Sequence, residues 1–296
     1  MSAKPSFSLG RALSAAAASL PAAWGGAWLV LILLWAAGTF GMPFVVSMDV
    51  HVVRGGGVIG GGVGHLPVLL GFCLALFLLA FAARGAVYRA ILFGKTAGKE
   101  GLGFGGLQFG LPELRLLVSD LLVGLFILVI MVALFIVFAV ALATSGQGHG
   151  YDDSLTAIRA LVCRHQGGDW VFIVYLIGSA ILLIFLSLKL VLRHAATVAE
   201  RRIVALNALG LSSGNVWKLL LGLIVIIIPF VLVAHGFMYL LARHMIAGFI
   251  HVGGTFYGPA MWMHAVMHAL LLGVAGPLTA GFLSSAYRQI VDLRAK

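Results

Sequence analysis

Charged side chains are scarce in this chain. Asp, Glu, Lys and Arg make up 9% of its 296 residues, and only nine of them are acids. A soluble domain carries about a quarter charged residues, so this polypeptide has too little polar surface to cover itself in water. Lipid is the expected solvent for much of it. Cysteine is also rare: Cys73 and Cys163 are too few for a disulfide framework, and Cys73, set in an apolar run, reads as a small buried thiol. Catalytic constellations are missing as well. No pair of acids and no Ser-His-Asp arrangement stands out. The stretch "FGKTAGKE" (residues 93–100) is close to a phosphate-binding loop, but Arg89 occupies the place of the required first glycine and no strand precedes it. A non-enzymatic protein is expected.

What the chain does have is apolar length: 62% of its residues are hydrophobic and its mean hydropathy is +1.12. Six runs reach the ~20 residues that a helix needs to cross the ~30 Å hydrocarbon core. They cover residues 27–46, 66–83, 121–142, 170–188, 219–238 and 259–287. The first is too long, and begins too late, for a cleaved signal sequence. In lipid, backbone hydrogen bonds must close within each segment, so these runs are predicted to be helices. None has Asp, Glu, Lys or Arg in its central portion, which removes the usual machinery of an ion-coupled transporter. The expected class is an all-α integral membrane protein, one domain of residues 1–296, with six transmembrane helices as three hairpins and cytoplasmic interfacial helices.

Orientation follows from the basic residues. Only Arg54, Arg159, Arg164 and Arg243 fall on one side of the six-span arrangement; the other fifteen Lys and Arg fall on the side of the two termini. Both termini are therefore expected in the cytoplasm, and short loops without an organelle-targeting pattern favour a bacterial inner membrane. The net charge of +10 is spread over these flanks rather than gathered in one patch, so no nucleic acid is expected as a partner. On the outer side, "RGGGVIGGGVGH" (residues 54–65) has seven glycines between Gly55 and Gly64 and reads as a flexible connection. Residues 151–170 open on the capping residues Asp152, Asp153 and Ser154, and predict a short surface helix. Residues 239–254 fit either a second such helix or a ragged helix end.

An internal repeat underlies the apolar background. "ALSAAAASLPAAW" (residues 12–24) aligns without gaps with "ALNALGLSSGNVW" (residues 205–217), and "LQFGLPELRLL" (residues 107–117) takes the same place between them. The units are 1–95, 96–198 and 199–296: an interfacial segment, a helix out, an outer loop and a helix back. Such a segment, partly apolar and flanked by Arg or Lys, suits the headgroup layer, where each basic side chain near anionic lipid is worth about 1 kcal/mol. The expected headgroup residues are Arg11, Trp24, Arg89, Lys95, Lys99, Arg115, Arg201, Arg202, Trp217 and Lys218. Trp24 and Trp217 are expected where the chain turns into the bilayer. Asp120, at the inner edge of the third span, reads as a snorkelling interfacial carboxylate more readily than as a proton relay. Glu113 and Arg115 suit a short capped helix just before that span.

"ERRIVALNALGLSSGNVWKLLLGLIVIIIP" (residues 200–229) resembles a segment of bacterial multi-spanning proteins related to the membrane domain of some glycerophosphodiester phosphodiesterases. In that group a helix ends in Gly-Asn-aromatic-Trp and leads into a transmembrane helix. Gly214, Asn215 and Trp217 match, Val216 replaces the aromatic, and Ser213 stands where an Arg is usual. "FSLGRALSAAAASL" (residues 7–20) is similar to the way such chains begin. The resemblance covers about a third of the chain and implies a six-helix membrane module. It does not bring phosphodiesterase chemistry, which belongs to a separate soluble domain.

Histidine and methionine lean to the outer side. Nine of ten histidines fall there, His194 being the exception. In "MWMHAVMHALLL" (residues 261–272), Met261, His264 and His268 share one helical face, and His235 on the fifth span is at similar depth. Imidazole with thioether suits copper, and two facing imidazoles suit haem iron. His235, His264, His268 and Met261 are the candidate ligands of an outward-facing metal-handling or redox protein. Against this stand two other readings: a membrane scaffold that binds lipid or a membrane-protein partner, with no cofactor and with its histidines merely amphipathic, and a passive lipid or small-molecule permease.

Overall fold

The computed structural model describes residues 7–41, 50–53, 57–60, 66–144, 170–249 and 259–295. Nearly all of them are helical. Helix α1 (Leu9–Ala36) ends in a π turn (Ala37–Gly41), and α2 (Leu66–Phe93) ends in a 3-10 turn (Gly94–Thr96). A second 3-10 turn (Phe104–Gly106) precedes α3 (Leu111–Thr144). Then come α4 (Trp170–Leu190), α5 (Arg193–Glu200), α6 (Ala208–Leu211) and α7 (Val216–Phe249). The last span is α8 (Pro259–Leu270), a π turn (Leu271–Ala275) and α9 (Gly276–Arg294). Six stretches are long and apolar enough to cross a membrane: Leu9–Gly41, Pro67–Thr96, Phe104–Val140, Ile173–Glu200, Val216–Gly236 and Ala265–Arg294. The chain is thus of the all-α, six-helix integral membrane class.

The glycine-rich outer connection departs from the expected flexible loop. Strands β1 (Val50–Val53) and β2 (Gly57–Gly60) pair antiparallel, with Val50 opposite Gly60 and Val53 opposite Gly57. Val50, Val52, Val53, Val58 and Ile59 are β-branched and favour extended backbone even among glycines. Residues 239–249 continue α7 rather than forming a separate helix. The short helix expected within 151–170 lies outside the described residues except for Trp170, which opens α4.

Helix α1 is the hub, packed along much of its length against α2 and α9. Small residues make that possible. Ala12, Ala16, Ala23 and Ala27 are buried in two pairs four residues apart, a spacing that lets helix backbones approach closely in lipid. Across from them, a methyl group on Gly281 would meet Ser19 and the backbone of Ala16, and one on Gly26 would lie 2.6 Å from the Ala90 methyl. Helix α7 enters at Gly222, which lies under the Phe282 ring.

Trp24, expected from the sequence as an anchor at the mouth of the membrane, has a partner inside the bundle. It lies midway along α1, and its indole N–H donates to the Gly273 carbonyl, 2.8 Å away, inside the second π turn. The helical donor to that carbonyl would be residue 277, but Pro277 has no N–H, and the tryptophan supplies a replacement. Trp35 repeats the contact at Ala265 O, at 2.7 Å. Cys73 is likewise corrected: it stands exposed on α2, since an apolar run in lipid has no need to turn a thiol inward.

The three segments expected to lie at the interface take different forms. Residues 12–24 are part of α1, whose 28 residues extend about 42 Å, more than the hydrocarbon core requires. Residues 107–117 enter α3 directly at Leu111, so Glu113 starts a long helix rather than a separate short one. Only 205–217 breaks up, into α6 and a turn at Gly214 (φ +85°) before α7.

Candidate functional site

All four basic segments meet at one end of the bundle. The Ser8 amide donates to Gln289 Oε1 at 3.0 Å, and Lys218 Nζ donates to Phe7 O at 3.0 Å. Arg288 donates to Leu92 O and Arg294 to Gly210 O, while Arg201 pairs with Glu100. The two termini, the connection after α2 and the connection after α4 are therefore one assembled surface.

Two charged clusters hold that surface to the helices. In the first, Arg89 and Glu113 form an ion pair at 1% and 0% exposure. The guanidinium also donates to Gly101 O at 2.7 Å and Gly85 O at 3.3 Å. Glu113 Oε2 accepts the Gly110 amide at 2.9 Å. That last bond is half of a capping box, in which the third residue of a helix reaches back to the amide before its start, and the carboxylate also meets the positive end of the helix dipole. Gly85 is required here, because a side chain at that place would press on the Glu113 carboxylate. Arg89 is thus a buried structural cation and not the headgroup contact expected from sequence. A guanidinium this deep in an apolar bundle has to find its carboxylate, and Glu113 is one turn into the neighbouring helix.

In the second cluster Asp120 joins three helices. Its Oδ2 accepts from Arg84 at 2.6 Å; its Oδ1 accepts from Arg193 Nε at 2.9 Å and lies 2.6 Å from His194 Nε2. The carboxylate is 20% exposed, whereas Arg84 is 40% exposed and stacks over Phe81. Asp120 is therefore no lone snorkelling acid; it is the shared acceptor of α2, α3 and α5. Nearby, Ser119 donates to Val204 O at 2.8 Å, and Thr197 closes on both the amide and the carbonyl of Val204, so the 201–207 connection is seated against α3.

Sequence reasoning counted Arg84, Arg193 and His194 only as topology signals. A stronger signal was the scarcity of acid. Of the five described Asp and Glu residues, Glu100, Glu113, Asp120 and Glu200 all pair with arginine. Among the other expected headgroup residues, Arg11, Lys95 and Lys99 are exposed, and Trp217 is 75% exposed at the start of α7. Arg202 is exposed and pairs with Glu200; Arg115 is half-buried.

The outer histidines present a different picture. His235 is exposed, with Nδ1 2.9 Å from Val231 O of its own helix. His268 lies 3.3 Å from the buried hydroxyl of Thr39 on the π turn that ends α1. The side chains of Met261 and His264 lie outside the described residues, although α8 carries both on the same helix as His268. Among the described residues no three metal-ligating side chains gather.

Fold and site together define a multi-pass membrane protein with a cross-braced basic end. No protein-family model, curated protein or solved structure matches the chain.

Proposed function

We propose that this is a non-enzymatic module of a bacterial cytoplasmic membrane, with both termini in the cytosol, that engages anionic headgroups and a membrane-protein partner through its basic end. One observation carries the reading. The basic segments are tied into a single surface, and among the described residues Arg11, Lys95, Lys99 and Arg115 take part in no ion pair. Cations left over from internal bracing are available to phosphate, at about 1 kcal/mol each near an anionic leaflet. The three repeat units fit the same reading, each contributing a basic segment before its outgoing helix and forming one out-and-back hairpin. So does the resemblance to the six-helix module of the phosphodiesterase-related group.

The test has two arms. A fluorescent protein fused after Lys296 that matures only in the cytosol is expected to be bright; a dark fusion, with an external reporter active at the same point, overturns the orientation. Detergent-purified protein is expected to retain phosphatidylglycerol over phosphatidylethanolamine, and to lose that preference when Arg11, Lys95 and Lys99 are replaced together by Gln. Equal retention of both lipids by the parent chain overturns the headgroup role.

A further inference from the structure

The 201–207 connection leaves an open groove of about 480 Å³ against α3, within the size range of small-molecule clefts. Its walls are mostly apolar: Leu122, Leu125 and Phe126 on one side, Ile203 and Leu206 on the other, with Asn207 beside them. Leu122, Leu125, Ile203 and Leu206 are all exposed, which in a cytosolic surface loop would be costly. The Ser119–Val204 hydrogen bond fixes the loop at this height, so the groove is built into the fold.

Arg115 lies on the same face of α3. Steps of seven residues carry Arg115 to Leu122 and on to Val129, which also lines the groove. Arg115 is about 10 Å below Leu122 toward the basic end. It is half-buried and takes part in no ion pair among the described residues, although Arg84, Arg89, Arg193, Arg201 and Arg202 each have a carboxylate. An apolar slot with a cation about two helical turns below it toward the basic end matches a two-part ligand, with an acyl chain at one end and an anionic phosphate at the other.

We propose that this groove is a binding site for one acidic glycerophospholipid, its acyl chain between α3 and the 201–207 loop and its phosphate on Arg115. The assignment rests on the membrane orientation proposed above, and narrows general headgroup contact to one stoichiometric site. A second copy of the chain, or a partner's helix, could fill an apolar groove too, but neither accounts for the cation aligned beneath it.

The test uses full-length protein in phosphatidylcholine nanodiscs, with Phe126→Trp as a reporter inside the groove. Relative to the parent, the added fluorescence is expected to be quenched by brominated phosphatidylglycerol at about fivefold lower mole fraction than by brominated phosphatidylcholine. That ratio is what one basic side chain at an anionic surface is worth. Arg115→Gln in the reporter background should bring the ratio to about one, and Arg115→Lys should restore most of it. Equal quenching by the two lipids, selectivity that survives Arg115→Gln, or quenching abolished by a cross-linked dimer would each overturn the site. If total phosphatidylglycerol retention still depends on Arg11, Lys95 and Lys99 in those cases, the site fails while the broader headgroup reading stands; if retention fails as well, both do.

Discussion

Along α2 the side chains change company at Phe81. Toward the end away from the basic segments Val68, Leu70, Leu74 and Phe77 stand exposed; from Phe81 to Leu92 all but Arg84 and Ile91 are buried. The same change runs through the neighbouring helices. Helix α3 buries Glu113, Leu116, Ser119 and Val123, then exposes Leu125, Leu128, Val129, Val132, Phe135 and Ile136. Helix α7 buries Leu219, Gly222 and Ile226 and exposes Leu232 and Val233. Across α2, α3 and α7 the basic end is thus braced and the opposite end mainly apolar surface, whereas α1 with its π turn keeps buried residues as far as Thr39 and bonds to α8 through Trp35. Lipid explains the difference. Apolar surface facing acyl chains gains little from burial, so helices associate only where close packing or hydrogen bonds add something. At the basic end both are supplied, by buried alanine and glycine contacts and by ion pairs. Through α3 and α4 the described outer side chains offer mainly aliphatic surface and the Phe138–Tyr175 stack.

If the two halves are held by different forces, the largest single effect should come from the most deeply buried charge. Glu113→Ala leaves Arg89 inside the bundle without its carboxylate and removes the α3 cap. We expect a loss of about 3–5 kcal/mol, measured as a fall in thermal stability in detergent. The double variant Arg89→Met with Glu113→Leu should recover most of that loss, because an apolar pair carries no desolvation cost. Recovery failing in a double variant that still folds would mean that the pair does more than fill space.

Overpacking should come next. Gly222→Ala pushes on Phe282 and Gly281→Ala pushes on Ser19 and Ala16. Each is expected to cost about 1–3 kcal/mol. Asp120→Asn should cost a similar amount, since it weakens charge-assisted bonds to Arg84, Arg193 and His194. Arg84→Ala should cost least of that cluster, because its side chain is 40% exposed and its bond is partly screened. A ranking of melting temperatures across these variants checks the order.

The same division marks what could be read from the residues. The six spans were legible because lipid length and hydrophobicity fix them with little help from tertiary contacts. The gathering of the basic segments at one end was legible because charge asymmetry records it. The bracing was not. Nothing in the spacing of Arg89 and Glu113, or of Asp120 and His194, says that these pairs meet, since 24 and 74 residues separate them and only the docking of α2, α3 and α5 brings them together. The Trp24 contact was hidden for a related reason. The tryptophan's position before a long apolar run has the pattern of an interfacial anchor, but its partner is the Gly273 carbonyl, 249 residues away and left without a helical donor by Pro277, and nothing in the spacing says that α1 docks there. Trp24→Phe should therefore cost about 0.6–1.7 kcal/mol, the range of one interhelical hydrogen bond in lipid. The exposed Trp217→Phe should cost close to nothing.

The smallest expected effect discriminates most cleanly, because it has the opposite sign. Gly178 on α4 and Gly236 on α7 lie in the outer half, and a methyl group at either meets nothing within 4 Å. Alanine also lowers the conformational entropy that helix formation must overcome, by roughly 0.5–1 kcal/mol relative to glycine. Gly178→Ala should therefore raise the melting temperature slightly, while the chemically identical change at Gly222 or Gly281 lowers it. If instead Gly178→Ala destabilises the protein, something sits against that face of α4 in the membrane. The outer half would then be an interface rather than a lipid-facing surface. Repeating the measurement over a range of protein concentrations separates the cases: destabilisation that grows with concentration marks a contact between copies, and destabilisation that does not marks packing within one chain.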